Sequence, residues 1–282
     1  METFTTKNAL EAHLSAFRSA GKTIGFVPTM GALHEGHLAL IERAKSTTSI
    51  SVCSIFVNPT QFNDPADLEK YPRPIEKDIA LLEAAGCDVL FLPTVGEMYP
   101  SDEEAWSFDL GQLDKIWEGA KRPGHYQGVT QIVNKLFHIV KPNIAFFGQK
   151  DFQQCMVIQL MVDKLALPVR LEIVDTIRDA DGLAKSSRNV RLSPRARTQA
   201  LALSKALFMV KQAVEQGESP QQAKEEALRF LQQAKGVELE YFAVCNPRDL
   251  TEIGPEQQNI RPLVVILAAW VGGVRLIDNI LL

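Results

Sequence analysis

Two histidines, His34 and His37, are the residues whose type and spacing most directly indicate chemistry. They stand three residues apart in the segment GFVPTMGALHEGHLALI, Gly25 to Ile41, so at the start of a helix they would project from one face. Two imidazoles on one face can hydrogen-bond phosphate oxygens and, when protonated, offset charge that builds up during substitution at phosphorus. A surface histidine pair and half of a zinc site are the alternative interpretations.

The residues around the histidines predict a strand, a turn and a helix. Thr23 to Val27 has the β-branched and aromatic composition of a buried parallel strand. Pro28, Gly31 and Gly36 mark an irregular turn, and the apolar residues that follow suit a helix. Such a turn should leave unpaired backbone N–H groups at the positive end of a helix dipole. This order of elements favours the phosphate interpretation.

A second polar group follows the next apolar run, Ser49 to Val57, which reads as another buried strand. Ligands of parallel sheets lie at the carboxyl ends of the strands. Asn58, Thr60 and Gln61 should therefore share an edge with the histidines. Each of the three could equally be a turn former.

A third polar group is FGQKDFQQ, residues 147 to 154, where a predicted strand again meets a glycine and then a helix. Lys150, beside Asp151 at this turn, is a mobile point charge suited to phosphate. Gln154, one turn further on, should face the same pocket.

The fourth group, KSSRNVRLSP at 185 to 194, places two hydroxyls between a lysine and an arginine. Such short donors with two cations could hold a polyphosphate. The stretch could also be a capping sequence, because Ser193-Pro194 resembles the start of a helix.

Strands alternate with helices through the first part of the chain, which indicates a parallel sheet with crossover connections. We predict an α/β fold, a Rossmann-like parallel sheet with helices on both faces in residues 1–176. A smaller C-terminal α+β domain, residues 177–282, should contain two helices and a small antiparallel sheet. The other predicted helices are 5–19, 75–85, 129–140, 195–216 and 220–235, the other strands are 87–92, 143–147, 168–174, 238–244, 263–269 and 274–280, and 64–74 is a predicted loop.

The basic, glycine-bearing stretch EGAKRPGHYQG, residues 118 to 128, has two interpretations. It could fold over a ligand as a lid, with Arg122 and His125 touching an anion. It could also be a solvated loop, which the sequence alone slightly favours.

Composition excludes some classes of partner. The 282 residues are 46% hydrophobic, with a formal net charge of −4 and a pI near 5.8. We therefore expect no general attraction to nucleic acid or to anionic membranes. The N-terminal METFTTKNAL lacks a signal-peptide pattern and no apolar run is long enough to span a membrane, so we expect a cytoplasmic protein. The four cysteines lie far apart without a CxxC pair and read as reduced core thiols.

Together the four polar groups resemble the nucleotidyltransferases that include the class I aminoacyl-tRNA synthetases. HEGH stands in the place of their HIGH motif and KSSR in the place of their KMSKS loop. The longer strings PTMGALHEGH, FVNPTQF, FGQKDFQQ and KSSRN, in this order over about 190 residues, closely resemble the pantothenate synthetase family. That family joins pantoate to β-alanine using ATP, and its members are typically homodimers.

The resemblance implies roles for particular residues. His37, His34, Lys150 and Arg188 would be catalytic, with His37 the usual proton donor. Gln61, Gln154 and Asn58 would bind pantoate or β-alanine, because amides both donate and accept hydrogen bonds. The second domain would close over the ATP, and Mg²⁺ would bind through the phosphates. The implied ATP-binding residues are Met30, Gly31, Ala32, Leu33, His34, Glu35, Gly36, His37, Gly148, Gln149, Lys150, Asp151, Ile177, Lys185, Ser186, Ser187 and Arg188.

One residue departs from the family pattern. Lys185 stands where the family usually has methionine before SSRN, so its backbone could serve but its side chain adds a charge.

The implied reaction has two steps. Pantoate attacks the α-phosphorus of ATP and pyrophosphate leaves; the β-alanine amine then attacks the pantoyl-adenylate and AMP leaves. The alternatives are another adenylyl or cytidylyl transferase, which needs no amine, and a nucleotide-binding regulatory protein with a degenerate site.

Overall fold

The computed structural model describes residues 1–101, 105–254 and 262–282. The chain divides into two compact units, described separately below. The first contains Met1–Gly148 and Gln153–Asp175, and the second contains Gln149–Phe152 and Thr176–Leu282. The second unit thus includes four consecutive residues, Gln149–Phe152, that interrupt the first unit along the chain.

The first unit is built on a six-stranded sheet in which every neighbouring pair is parallel. The strand order is β1-β4-β3-β2-β5-β6. The strands are β1 (Glu2–Phe4), β2 (Ile24–Thr29), β3 (Ile50–Ile55), β4 (Val89–Phe91), β5 (Ile144–Gly148) and β6 (Arg170–Val174).

Helices cover both faces of this sheet. They are α1 (Lys7–Ser19), α2 (Glu35–Thr47), α3 (Pro65–Glu69), α4 (Ile75–Ala84), α5 (Val95–Met98), α6 (Trp117–Lys121), α7 (His125–Val140) and α8 (Phe152–Lys164). Phe26 and Val52 face a core with α1, α7 and α8, while their neighbours Val27 and Cys53 face a second core with α2 and α4. Successive strand residues point to opposite faces, which accounts for the two cores.

The direction of strand addition reverses at β2. From β2 the chain adds β3 and β4 on one side, and it later adds β5 and β6 on the other. In open parallel sheets a crevice forms beyond the carboxyl ends at such a point, and ligands bind there. The segments after β2, β3 and β5 therefore leave from three adjacent strand ends.

The second unit packs two helices on an antiparallel sheet. α9 (Pro194–Glu215) and α10 (Pro220–Gln233) share one core with β7 (Val237–Cys245), β8 (Val264–Val271) and β9 (Val274–Leu281). The sheet order is β7-β8-β9. Gly272 and Gly273 join β8 to β9 with φ of 56° and 74°, a backbone that favours glycine in a tight hairpin.

The predicted fold class is confirmed: a parallel sheet with helices on both faces and a smaller α+β part. Three local predictions were wrong. Strand β1 was missed because it has three residues, and α3 lies inside the predicted 64–74 loop, where Asp64 caps it and Pro65 occupies its first turn. Helix α7 begins at His125 rather than at residue 129.

The four cysteines are buried free thiols. Within the described residues, no helix combines the length and apolar character needed to cross a membrane.

Candidate active site

The loop after β2 is held by a buried carboxylate from another element. Asp78, in the first turn of α4, accepts the backbone N–H of Ala32 at Oδ2 and that of Leu33 at Oδ1, both at 2.8 Å. The N–H of Gly31 donates to Thr29 Oγ1 at 3.2 Å. The prediction that this turn leaves unpaired N–H groups for a phosphate is therefore wrong at these residues, because protein acceptors already bind them.

The backbone of this loop requires glycine at position 31. Gly31 and Ala32 have φ of 78° and 51°, in the left-handed region. A Cβ on Gly31 would lie 2.9 Å from Asp78 Oδ2 and 3.0 Å from Ile55 Cγ2, so only glycine leaves room for the carboxylate. Burial raises the pKa of Asp78, and the hydrogen bonds from Leu33 and Ala32 partly oppose that shift.

The two histidines form the N-terminal cap of α2. His34 Nδ1 accepts the N–H of Gly36 at 3.1 Å, and His37 Nδ1 accepts the N–H of His34 at 3.3 Å. Their ring centroids are 4.1 Å apart. A ring nitrogen that accepts an N–H carries no proton, so in this arrangement both imidazoles are neutral, with their proton on Nε2. In this state each ring is a hydrogen-bond donor at Nε2 and carries no positive charge.

Asn58, after β3, uses all of its hydrogen-bonding capacity within the protein. Its Nδ2 donates to Gln61 Oε1 and to the carbonyl of Gly128, both at 3.1 Å. Its Oδ1 accepts the hydroxyls of Thr60 at 3.1 Å and Tyr99 at 2.6 Å. With 1% of its surface exposed, Asn58 positions Gln61 instead of binding a substrate, which corrects the role carried over from the family.

Gln61 keeps one end of its amide for a ligand. Asn58 Nδ2 donates to the Gln61 Oε1, which fixes the orientation of the amide and turns its Nε2 group away from Asn58. Among the described residues, that Nε2 donates no hydrogen bond to the protein. Gln61 is 8% exposed and therefore presents a nearly buried donor.

The 118–128 segment is neither a lid nor a solvated loop. His125 is buried at the start of α7, where its Nδ1 lies 2.8 Å from the carbonyl oxygen of Gln61 and its Nε2 lies 2.9 Å from Arg122 NH1. The carbonyl can only accept and the guanidinium can only donate, so Nδ1 carries the proton. A Cβ on Gly128 would collide with the backbone of Thr60, so α7 lies directly against the Pro59–Gln61 turn. This segment therefore packs against the Pro59–Gln61 turn and holds the backbone of Gln61 in place.

Two adjacent glutamines on α8 have opposite roles. Gln153 is buried, accepts the N–H of Glu118 at 3.0 Å and donates to the carbonyls of Leu113 and Ile116 at 2.8 and 3.0 Å. Gln154 is half-buried, and its amide makes no hydrogen bond to any residue that the structure describes. Gln154 therefore keeps its amide for a ligand, and its assignment to pantoate stays a prediction.

The second unit presents a separate cationic cleft. Lys150, Ser186 and Arg188 line it together with Asp278 and apolar side chains from α9 and β9. Arg178 binds both oxygens of Asp278, NH1 to Oδ2 at 2.6 Å and NH2 to Oδ1 at 2.9 Å. Burial raises the pKa of Asp278, and Arg178 counteracts that shift. The arginine thus balances this carboxylate, so Lys150 and Arg188 give the cleft its positive charge.

The side chain of Lys185 binds a carboxylate of its own unit. Its Nζ lies 2.6 Å from Asp179 Oδ1, and Arg197 binds Asp179 at 2.7 Å and Asp181 at 2.6 Å. The hydrogen bond from Lys185 is the main reason that the pKa of Asp179 is lowered, with further help from Arg197. The extra charge at the position usually held by methionine is therefore balanced locally.

The remaining predicted site residues occupy loop and turn positions. In the first unit, Met30 and Gly36 are half-buried, Glu35 is exposed, and Gly148 ends β5. In the second, the carbonyl of Ile177 accepts the N–H of Lys185 at 2.9 Å, and Ser186 Oγ accepts the N–H of Arg188 at 3.3 Å. The 3₁₀ turn Gln149–Asp151 carries the other three predicted residues, and Ser187 begins the 3₁₀ turn Ser187–Arg191.

Sequence reasoning missed Asp78, Arg178 and Asn279. Asp78 had a detectable signal, because it interrupts the apolar stripe of α4 three residues after Ile75 and four before Leu82. Arg178 and Asn279 had none, since their partners lie 100 and 130 residues away in the sequence.

No group of three or more His, Cys, Asp or Glu side chains among the described residues could hold a metal ion.

In the first unit, the histidine pair after β2 and the glutamines that follow β3 and β5 place polar side chains at the carboxyl ends of three adjacent parallel strands, the arrangement of an α/β ligand-binding protein. A family model described as pantoate-beta-alanine ligase matches residues 2–281. The chain belongs to the pantoate-beta-alanine ligase family and is an enzyme of pantothenate biosynthesis.

Individual relatives agree with the family model. The pantothenate synthetase of Cytophaga hutchinsonii is 43% identical over 283 residues, which cover 100% of this chain and 99% of that protein. The crystal structure of pantothenate synthetase from Thermus thermophilus matches with a TM-score of 0.94 and 42% identity, covering 99% of each chain. Pantoate-beta-alanine ligase from Francisella tularensis, complexed with beta-gamma ATP and beta-alanine, has a TM-score of 0.80 and 31% identity, covering 100% of this chain and 97% of that one.

Replacing Asp78 tests the loop after β2. Asp78→Asn should lower the free energy of unfolding by about 1–3 kcal/mol, because the amide turns an NH₂ group towards one of two buried N–H donors. Urea unfolding measures the change, with Glu76→Gln on the exposed side of the same helix as the control. A loss no larger than that of the control would mean that Asp78 does not hold the loop.

Replacing Lys185 tests the charge balance around Asp179. The lowered pKa of Asp179 stabilises the folded state above the ordinary carboxyl value, about 4, and this contribution is lost as the pH falls through the folded-state pKa. Lys185→Met should therefore lower Tm by about 1–3 °C at pH 7. The difference from the wild type should shrink as the pH falls below about 4.

Thermal melts from pH 7 to pH 3 measure this difference. Lys211→Met, which removes an exposed i,i+4 contact with Glu215, is the control. A difference that stays constant over the whole range would assign the effect to packing of the lysine stem instead.

Proposed function

We propose that this enzyme condenses (R)-pantoate with β-alanine to pantothenate, using ATP through a pantoyl-adenylate and releasing AMP and pyrophosphate. The observation that carries the proposal is the match of residues 2–281 to the pantoate-beta-alanine ligase family. The geometry of each unit supports it. The first unit provides the histidine pair and the amides of Gln61 and Gln154, and the second provides the cations Lys150 and Arg188.

ATP is the proposed nucleotide substrate. The Francisella relative was crystallised with beta-gamma ATP and beta-alanine, which supports both ligands here. We assign ATP contacts to residues 30–37 and 148–151, to Ile177, and to 185–188. Lys185 contributes its backbone, because Asp179 binds its side chain. Mg²⁺ would accompany ATP on the phosphate oxygens.

Gln61 and Gln154 are the proposed pantoate ligands. Pantoate carries a carboxylate and hydroxyl groups, which need donors in fixed positions. The Nε2 of Gln61 is such a donor because Asn58 holds the opposite end of the amide. Gln154 can donate and accept, since no described residue uses its amide. Asn58 and His125 are positioning residues in this scheme.

In the first step, the pantoate carboxylate attacks the α-phosphorus and pyrophosphate leaves. Negative charge grows on the phosphate oxygens, where fixed donors and cations act most strongly. Lys150 and Arg188 supply the cations, and His34 and His37 can donate hydrogen bonds through Nε2. The family resemblance makes His37 the proposed proton donor, a step for which its ring must carry a second proton, on Nδ1 as well as on Nε2. In the second step, the amine of β-alanine attacks the activated carbonyl and AMP leaves.

The family resemblance also supports a cytoplasmic homodimer, which we propose without assigning an interface.

Pyrophosphate exchange tests the adenylate step directly. With Mg²⁺ and pantoate present and β-alanine absent, labelled pyrophosphate should enter ATP, because only a reversible adenylate allows it. Lys150→Ala should slow this exchange roughly a hundredfold or more by removing a preorganised charge. Lys205→Ala, an exposed lysine of the same unit, is the matched control.

Two results would contradict this scheme. Absence of exchange in protein that binds ATP would exclude the pantoyl-adenylate and favour another transferase reaction. A Lys150→Ala rate within a few-fold of the wild type would remove Lys150 from the catalytic role.

The amide site is tested by Gln61→Ala. This change should raise the KM for pantoate about tenfold or more while the KM for ATP stays nearly constant, because a nearly buried donor is lost from one ligand only. Steady-state kinetics with each substrate varied measures both constants, with Gln112→Ala, an exposed glutamine, as the control. A larger effect on ATP than on pantoate would overturn the assignment.

A further inference from the structure

We propose that Asn279, on the last strand of the chain, is the positioning residue that holds Lys150 for catalysis. The proposal rests on the role assigned to Lys150 above. Both residues belong to the second unit, although 129 positions separate them in the sequence.

Asn279 binds the Lys150 turn at three points. Its Nδ2 donates to the carbonyls of Gln149 and Lys150 at 2.9 and 2.8 Å. Its Oδ1 accepts from Gln149 Nε2 at 3.2 Å. Asn279 is only 2% exposed, so these bonds form without competition from water. A single buried side chain thus fixes two consecutive carbonyls beside the catalytic lysine.

The turn needs an external anchor. Gln149–Asp151 is a 3₁₀ segment of three residues, which supplies few hydrogen bonds of its own. The ion pair of the lysine is weak, because its Nζ lies 3.5 Å from both oxygens of Asp151. The backbone bonds from Asn279 therefore determine where the lysine side chain begins.

The anchor is itself fixed. Asn279 is paired with Ile266 in the β8–β9 ladder, and its N–H donates to Asp278 Oδ1 at 2.7 Å. Arg178 then binds Asp278 through both carboxylate oxygens and also donates to the carbonyl of Asn279 at 3.1 Å. Asn279 is thus held by the sheet on one side and by an ion pair on the other.

Only an amide meets these requirements. Aspartate at 279 would have the same shape but would turn an oxygen towards two carbonyl oxygens, and alanine would leave both carbonyls without this donor. A shift of about 1 Å in a catalytic group can cost about a hundredfold in rate. The structure therefore assigns a catalytic effect to a residue that need not touch the substrate.

The experiment is a double-mutant cycle measured by pantoate-dependent pyrophosphate exchange. Asn279→Ala and Asn279→Asp should each lower kcat about 10- to 100-fold, with the KM for pantoate within about twofold of wild type. In a Lys150→Ala background, Asn279→Ala should change the rate by less than about threefold, because the group it positions is absent. Asn246→Ala, which removes a hydrogen bond from Arg248 N–H elsewhere in the unit, is the matched control.

A second measurement does not depend on activity. Hydrogen exchange of the peptide covering residues 147–152 should be faster in both Asn279 variants than in wild type and unchanged in Asn246→Ala. The positioning role would be overturned if Asn279→Ala lowered the rate as much in the Lys150→Ala background as in wild type. It would also be overturned if hydrogen exchange of this peptide were unchanged in the Asn279 variants. If wild-type enzyme fails to exchange pyrophosphate, the proposed function fails, while the hydrogen-exchange result still decides whether Asn279 holds the turn.

Discussion

The buried carboxylate of Asp78 is the constraint on which the histidine site depends. It lies opposite a loop whose backbone turns into the left-handed region, and it accepts the N–H groups of Ala32 and Leu33 that would otherwise need water or a ligand. The protein therefore carries its own anion in the nest at the end of β2. Because Asp78 already accepts these two N–H groups, a ligand phosphate cannot use them while the carboxylate stays in place. Burial of the carboxylate disfavours its charged form, which raises the pKa of Asp78.

Both units use a buried asparagine to position a residue that is proposed to bind a substrate. Two of the residues proposed to touch a substrate are positioned by a buried amide whose own hydrogen bonds are made inside the protein. Asn58 does this for Gln61, and Asn279 does it for Lys150. Amides suit the task because they donate and accept at once and carry no charge that burial would penalise.

Much of the fold was predictable from the sequence, whereas the roles of single polar residues were not. The apolar runs at β2, β3 and β5 and the helix stripes depend on local periodicity, so the parallel sheet and the smaller second part followed from pattern alone. Asn58 shows the limit. Its residue type fits a substrate ligand equally well, and its actual partners Tyr99 and Gly128 lie 41 and 70 positions away. The local sequence pattern cannot show which buried amide already binds residues that are distant in the sequence. The 118–128 stretch was misread for the same reason, since the buried contacts of His125 outweigh its polar, glycine-bearing composition.

The assignment of Gln149–Phe152 to the second unit has a consequence for how the protein can be divided. The chain passes between units at 148–149, at 152–153 and at 175–176, so neither unit is one continuous stretch of polypeptide. A fragment beginning at Thr176 would lack the turn that Asn279 binds and would leave a buried amide unsatisfied. Ribosomal synthesis completes the first unit about a hundred residues before Asn279 is added, so the lysine turn acquires its anchor late in synthesis. Strand β9 thus completes an element encoded 129 positions earlier.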